Sequence, residues 1–273
     1  MSCNEHHPIH DSCSKIIDIR DVAENIYSII LEDPAISGNT LPGQFLMVRA
    51  SEHQYFPLLR RAFSVARIMD NDRYELLIQG VGTGTQLLRK HQQGDCLKVV
   101  GPLGSHFDYE SAAGKNVIIV VGGIGVAPAF MLYDKVRDIA SGVKIFYGGR
   151  SSEYLVPMHD LEDVTVYATE DGSRGYKGYV TDLVKEEFEK NTENLNNIVV
   201  YSCGPNPMLS SLEEIVLKYN VHTEVSIETL MACGIGVCMG CPVEKRKHPG
   251  QYYYGCKDGP VFNINEITLK QTI

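Results

Sequence analysis

The spacing of four cysteines near the C-terminus constrains this chain more than any other feature. Cys233, Cys238 and Cys241 read C-x-x-x-x-C-x-x-C, and Cys256 follows after a fourteen-residue arm. A four-residue gap, a two-residue gap and a more distant fourth thiolate form the plant-type pattern for a [2Fe–2S] cluster. A loop that wraps such a cluster must bring backbone N–H groups close to sulfur. Gly234, Gly236 and Gly240 lie in the gaps and permit that approach. The rival ligand is a structural zinc ion, which also takes four thiolates. Zinc sites usually pair their ligands as two short knuckles, and this chain has one knuckle and one longer arm.

At 273 residues the chain exceeds a usual single domain, so two domains plus a small segment are expected. A net charge of −9 argues against nucleic acid and against a polybasic membrane surface. Residues 1–30 have no apolar core of the signal-peptide kind. The most apolar stretch, from Val117 to Leu132, is broken by Gly122, Gly123, Gly125 and Pro128 and is too short to span a bilayer. A soluble, cytoplasmic protein with no membrane partner is expected. The eight cysteines then read as metal or redox ligands rather than a disulfide framework, with Cys3, Cys13 and Cys96 as free thiols. The group Cys3, His6, His7, His10 and Cys13 reads as a loose terminus ahead of a metal site.

The pattern predicts an antiparallel β-barrel, then an α/β domain with a parallel sheet, then a small C-terminal iron–sulfur segment. The expected bounds are a flexible tail over 1–14, the barrel over 15–110, the α/β domain over 111–228 and the cluster segment over 229–273. Short β-branched and apolar runs such as Phe45–Arg49, Tyr74–Gln79 and Cys96–Val100 are bounded by turn clusters, as a small barrel requires. After Gly114 the apolar run Val117–Val121 reads as a strand buried on both faces, and strands mixed with helices follow. The helix Pro207–Tyr219 is expected to take Asn206 as its cap.

Three further motifs carry chemistry. Arg61-Ala62-Phe63-Ser64 places a guanidinium, a ring and a hydroxyl on one strand, able to serve a phosphate and a flat cofactor. Alone it is a weak signal, since such residues are common on a solvated strand. The turn from Gly80 to Thr85 precedes a short helix and reads as a phosphate cradle, with a flexible hairpin as the alternative. Gly122-Gly123-Ile124-Gly125-Val126-Ala127-Pro128 lies at a strand-to-helix junction, where open parallel sheets bind dinucleotides. Pro128 replaces the third glycine of the usual fingerprint. The second strand ends on Gly148-Gly149-Arg150, so no acidic residue closes it. At other strand ends, Thr169-Glu170-Asp171-Gly172-Ser173 reads as a nucleotide contact or an ordinary turn, and Cys203 as an uncharged thiol beside a redox centre or a buried small hydrophobe. The run Lys245-Arg246-Lys247-His248 reads as a solvated loop tip, with docking of an acidic partner as the alternative.

Taken in order, these motifs resemble the ferredoxin–NADP reductase superfamily. Within it the chain is most similar to the electron transfer subunits of NAD-dependent dihydroorotate dehydrogenases. The cysteine spacing, the ending Gly255-Cys256-Lys257-Asp258-Gly259-Pro260-Val261-Phe262 and the run Gly172-Ser173 through Gly178 carry that likeness. The resemblance implies FAD on Arg61, Ala62, Phe63, Ser64, Leu77, Ile78, Gln79, Gly84 and Thr85. It implies NAD on Gly123, Gly125, Cys203, Gly204 and Pro205, and [2Fe–2S] on Cys233, Cys238, Cys241 and Cys256. Ser64 and Cys203 would position and polarise the reacting rings. It also implies a separate FMN-bearing catalytic subunit, with two copies of each chain. The rivals are the small subunit of an electron-bifurcating ferredoxin–NADP or sulfide oxidoreductase, a self-contained flavin reductase, and a zinc-stabilised adaptor without redox activity.

Overall fold

A computed structural model describes residues 8–51 and 56–269. The N-terminal half is a closed antiparallel barrel. Its strands are β1 (His10–Ala23), β2 (Ile26–Glu32), β3 (Phe45–Val48), β4 (Arg61–Ile68), β5 (Arg73–Gln79) and β6 (Cys96–Leu103), joined in the order β1-β2-β5-β4-β3-β6. Two short helices, α1 (Pro34–Ser37) and α2 (Thr83–Leu88), fill the connections. Alternating side chains such as Ile29, Leu46, Val48, Val65, Leu76 and Val99 make the barrel interior.

The second half is built on a seven-stranded sheet. Strand β7 (Asn116–Gly122) leads into α3 (Ala127–Val136), and β8 (Gly142–Gly149) and β9 (Thr165–Thr169) follow. A two-residue strand, β10 (Tyr176–Lys177), precedes α4 (Val180–Lys190), β11 (Ile198–Cys203), α5 (Asn206–Tyr219) and β12 (His222–Ser226). The order is β10-β9-β8-β7-β11-β12 with every pair parallel. Both faces are covered, which explains the unbroken apolar runs. Helix α3 also packs on β4, and its Met131 is buried in the barrel core.

The last part forms a hairpin, β13 (Pro242–Glu244) with β14 (Tyr252–Tyr254), and then β15 (Val261–Asn263). Strand β15 adds antiparallel to β12, and Phe262, Ile264, Ile267 and Leu269 enter the core beneath α4 and α5. The cluster segment is therefore woven into the second sheet.

Three expectations need correction. The segment read as a tail to residue 14 is shorter, since His10–Ser14 pair with β6 and Ser12 and Ser14 donate to Asp33. Cys13 and Cys96 are not free thiols. They are disulfide-bonded across β1 and β6, with Cα atoms 5.5 Å apart. Barrel closure joins residues 83 apart in sequence, which spacing along the chain does not reveal. Alkylation under denaturing conditions should leave both unlabelled until a reductant is added; mass spectrometry reads this directly. Cys3, His6 and His7 lie outside the described residues. Finally, Pro205 rather than Asn206 takes the cap position of α5, because its extended backbone turns the chain into the helix.

Candidate functional site

The flavin-directed residues converge from β4 and α2. Arg61 lies against Gly84 so closely that a Cβ there would stand 2.9 Å from its Nε. The turn before α2 is closed by Thr85, whose Oγ1 accepts from the Gly82 N–H (3.0 Å), and the Tyr27 hydroxyl donates to the Thr85 carbonyl (2.5 Å). Phe63 packs on the barrel core. Leu77 and Ile78 are buried on β5, with Gln79 at its end.

Residues paired across antiparallel strands share a face. Ala62 stands opposite Met47, and Ser64 opposite Phe45. Phe45, Met47 and Leu103 in turn pack against Cys241 and Cys256. The face of the barrel that carries Ala62 and Ser64 is thus the face on which the cysteine loop rests. Gly234 makes the contact: it adopts φ +75°, and a Cβ there would strike the Met47 side chain.

The four thiols stand as two pairs. The Cys241 and Cys256 sulfurs are 3.3 Å apart. The Cys238 N–H donates to the Cys233 sulfur at 3.4 Å, and the Cys238 thiol also bonds to it. Among the described residues, no three His, Cys, Asp or Glu side chains converge on a single-ion point. Two pairs suit two irons with two thiolates each. Backbone N–H groups aim at sulfur throughout: Gly236 at Cys256 (3.1 Å), Gly240 at Cys238 (3.4 Å) and Ile235 at Cys233 (3.5 Å). Partial burial opposes ionisation of Cys233, but the donors Cys238 and Ile235 outweigh it and bring the thiol down to about 6. Burial and the adjacent Cys241 thiol push Cys256 upward. The donor set fits an iron–sulfur cluster.

The dinucleotide-directed loops interlock at the carboxyl ends of β7 and β11. A Cβ on Gly125 would stand 2.5 Å from the Cys203 carbonyl oxygen and 2.7 Å from the Gly204 Cα. Gly123 takes φ +54° at the turn, and Pro205 leads into α5. The Cys203 thiol is pushed up to about 12 by burial, with the Glu228 carboxylate adding and the Ser226 hydroxyl opposing, so it stays protonated. Beside it, Asn206 Oδ1 is buried without a hydrogen-bond partner among the described residues. A buried lone acceptor next to the loop fits a ligand that brings an N–H donor, as a carboxamide does. Because α3 begins at this loop and packs on β4, the glycine loop after β7 and strand β4 are held side by side.

Sequence reasoning missed two features. Arg246, in the basic run, is neither a solvated tip nor a docking residue. Its Nη2 bonds Glu213 on α5, which is 4% exposed, and donates to the Ile267 carbonyl (2.7 Å). Met47 as the seat of the cysteine loop had no sequence signal beyond being apolar.

Comparison with known proteins agrees with this geometry. Residues 228–268 match the family described as the iron-sulfur cluster binding domain of dihydroorotate dehydrogenase B, and residues 119–214 match an oxidoreductase NAD-binding domain. A protein of Caldanaerobacter subterraneus subsp. tengcongensis, named dihydroorotate dehydrogenase B (NAD(+)), electron transfer subunit, is 37% identical over 93% of this chain and 97% of its own length. One of the same name from Bacillus mycoides is 34% identical, with the same two coverages. Among solved structures, a chain of the electron-bifurcating NADH-dependent reduced ferredoxin–NADP oxidoreductase superposes with a TM-score of 0.81 at 25% identity, over 96% of this chain and 92% of that one. A Neisseria gonorrhoeae ferredoxin NADP+ reductase with bound FAD and NADP shares the fold, with a TM-score of 0.65 at 19% identity over 76% of this chain and 91% of that one.

Proposed function

The chain belongs to the family of electron transfer subunits of dihydroorotate dehydrogenase B (NAD+), and from that we infer that it carries electrons from the flavin of a catalytic subunit to NAD+. FAD and [2Fe–2S], when bound, supply the exchange between one-electron and two-electron transfer. The protein holds both on one face of the barrel and brings the nucleotide loop beside them. One observation carries this reading. The strand that bears Ala62 and Ser64 pairs with the strand whose Phe45 and Met47 seat Cys241 and Cys256.

We assign FAD to Arg61, Ala62, Phe63, Ser64, Leu77, Ile78, Gln79, Gly84 and Thr85; the approach of Arg61 to Gly84 supports this. Gly123, Gly125 and Cys203 to Pro205 receive NAD+, supported by the interlocked loops and the lone Asn206 acceptor. In this reading Cys203 packs against the nicotinamide as a neutral thiol and moves no proton. Ser64 orients the flavin ring.

The partner is a dihydroorotate-oxidising subunit that carries FMN, in a complex with two copies of each chain, acting in the cytoplasm. Leu230, Ile235, Val237 and Met239 surround the cysteine loop and stay exposed, Leu230 at 80% and Val237 at 75%. Apolar side chains this open beside a redox centre suit a partner face. No described helix is long and apolar enough to cross a membrane. The bifurcating relative shares the fold, but the relatives at 34–37% identity carry the dihydroorotate name.

The test is Cys238→Ser in the complex. Dihydroorotate-dependent NAD+ reduction should fall to background. NADH oxidation by a small dye that takes electrons directly from flavin should persist. Unchanged dihydroorotate-dependent activity would remove the cluster from the route.

A further inference from the structure

Buried hydroxyls in a folded chain are nearly always hydrogen-bonded, so one that is not points to a partner the chain does not itself supply. The Thr229 hydroxyl is such a group. Its Oγ1 is buried and has no hydrogen-bond partner among the described residues. Thr229 lies where the chain leaves β12 for the cysteine loop.

The neighbouring chain fixes where that hydroxyl stands. The Ile227 N–H donates to the Pro260 carbonyl (3.0 Å), which lays this segment beside the chain that follows Cys256. Thr229 then rests on Gly255, where a Cβ would stand 2.7 Å from its Oγ1 and 3.1 Å from its Cγ2. Gly255 belongs to the corner that carries two of the four thiols. Its N–H donates to the Cys241 carbonyl (2.8 Å), and the Cys256 N–H donates to the Cys241 sulfur (3.4 Å). Two residues beyond Thr229, Met231 packs against Cys241 and Cys256 themselves. The hydroxyl is thus set beside the buried thiol pair, each member 3% exposed. The described chain offers it no acceptor there, whereas a cluster held by the four thiols brings electron-rich sulfur to the same corner.

We propose that the Thr229 hydroxyl donates a hydrogen bond to sulfur of the [2Fe–2S] cluster on its Cys241 and Cys256 side, and so raises the reduction potential. The proposal rests on the cluster reading above and goes beyond it by naming a side chain that sets the potential. A hydrogen bond to cluster sulfur strengthens as that sulfur gains negative charge, so it favours the reduced form. The loop's other donors to sulfur include the backbone N–H groups of Gly236, Gly240 and Ile235. Thr229 adds a donor that a substitution can remove.

The test is a redox titration of the assembled complex followed by EPR, with iron and sulfide quantified in each sample. Thr229→Val keeps the shape and removes the hydroxyl. At a fixed poise its ratio of reduced to oxidised cluster should fall by about tenfold, the scale of one hydrogen bond, or about 59 mV toward more negative potential for a one-electron couple. Thr229→Ser keeps the hydroxyl and should titrate near the wild type. A valine variant at the wild-type potential, or a serine variant shifted as far as valine, overturns the role of Thr229 and leaves the cluster reading standing. If Thr229→Val does not load with iron, Thr229→Ala makes the same comparison: the negative shift sustains the proposal and an unchanged potential overturns it. A wild-type complex with no [2Fe–2S] signal overturns the cluster reading, and the proposal with it.

Discussion

Replacing Gly125 with alanine is expected to lower kcat/KM for NAD+ by about a hundredfold while FAD and cluster content stay unchanged. The new methyl would meet three backbone atoms: the Cys203 carbonyl oxygen at 2.5 Å, its carbon at 2.7 Å and the Gly204 Cα at 2.7 Å. None is the end of a flexible side chain, so the β7 loop and the β11 loop must separate. A displacement on the order of 1 Å at reacting groups costs about a hundredfold in rate. The barrel lies on the other side of α3, so flavin absorbance should be retained. Steady-state kinetics with flavin and iron quantified in the same sample check this. A variant with normal kcat/KM would show that the interlocked loops do not shape the nucleotide site.

Arg246→Met should destabilise the protein by about 3 kcal/mol, because it leaves the buried Glu213 carboxylate without its cation. The thermal midpoint should fall by roughly 6–12 °C. The Arg246 guanidinium joins α5 to the carbonyl of Ile267 and so ties the hairpin of β13 and β14 to the nucleotide domain. Iron should be lost on heating before flavin. The double variant Arg246→Met with Glu213→Leu should recover much of the loss, since no buried charge then remains. A single variant as stable as wild type would show that the pair is solvated.

The iron–sulfur segment was readable from sequence because its four cysteines lie close along the chain, within the residues 228–268 that match an iron-sulfur cluster binding domain. The nucleotide domain was readable because fully buried parallel strands, such as Val117–Val121, leave continuous apolar runs. Pairings across closure were not readable. Cys13 meets Cys96 only when β1 closes on β6. Strand β15 is three residues long and joins β12 after the whole cysteine loop has intervened, so nothing local marks it as part of the nucleotide sheet. Arg246 looked like one charge in a basic run because its partner Glu213 is on α5, 33 residues away.

The electron route from dihydroorotate through this chain to NAD+ is read out by NADH formation from dihydroorotate. It is measured for the purified complex and for each subunit alone, with both flavins and the cluster quantified. NADH should form in the complex and in neither subunit alone. A fully loaded complex that oxidises dihydroorotate without forming NADH would contradict that route.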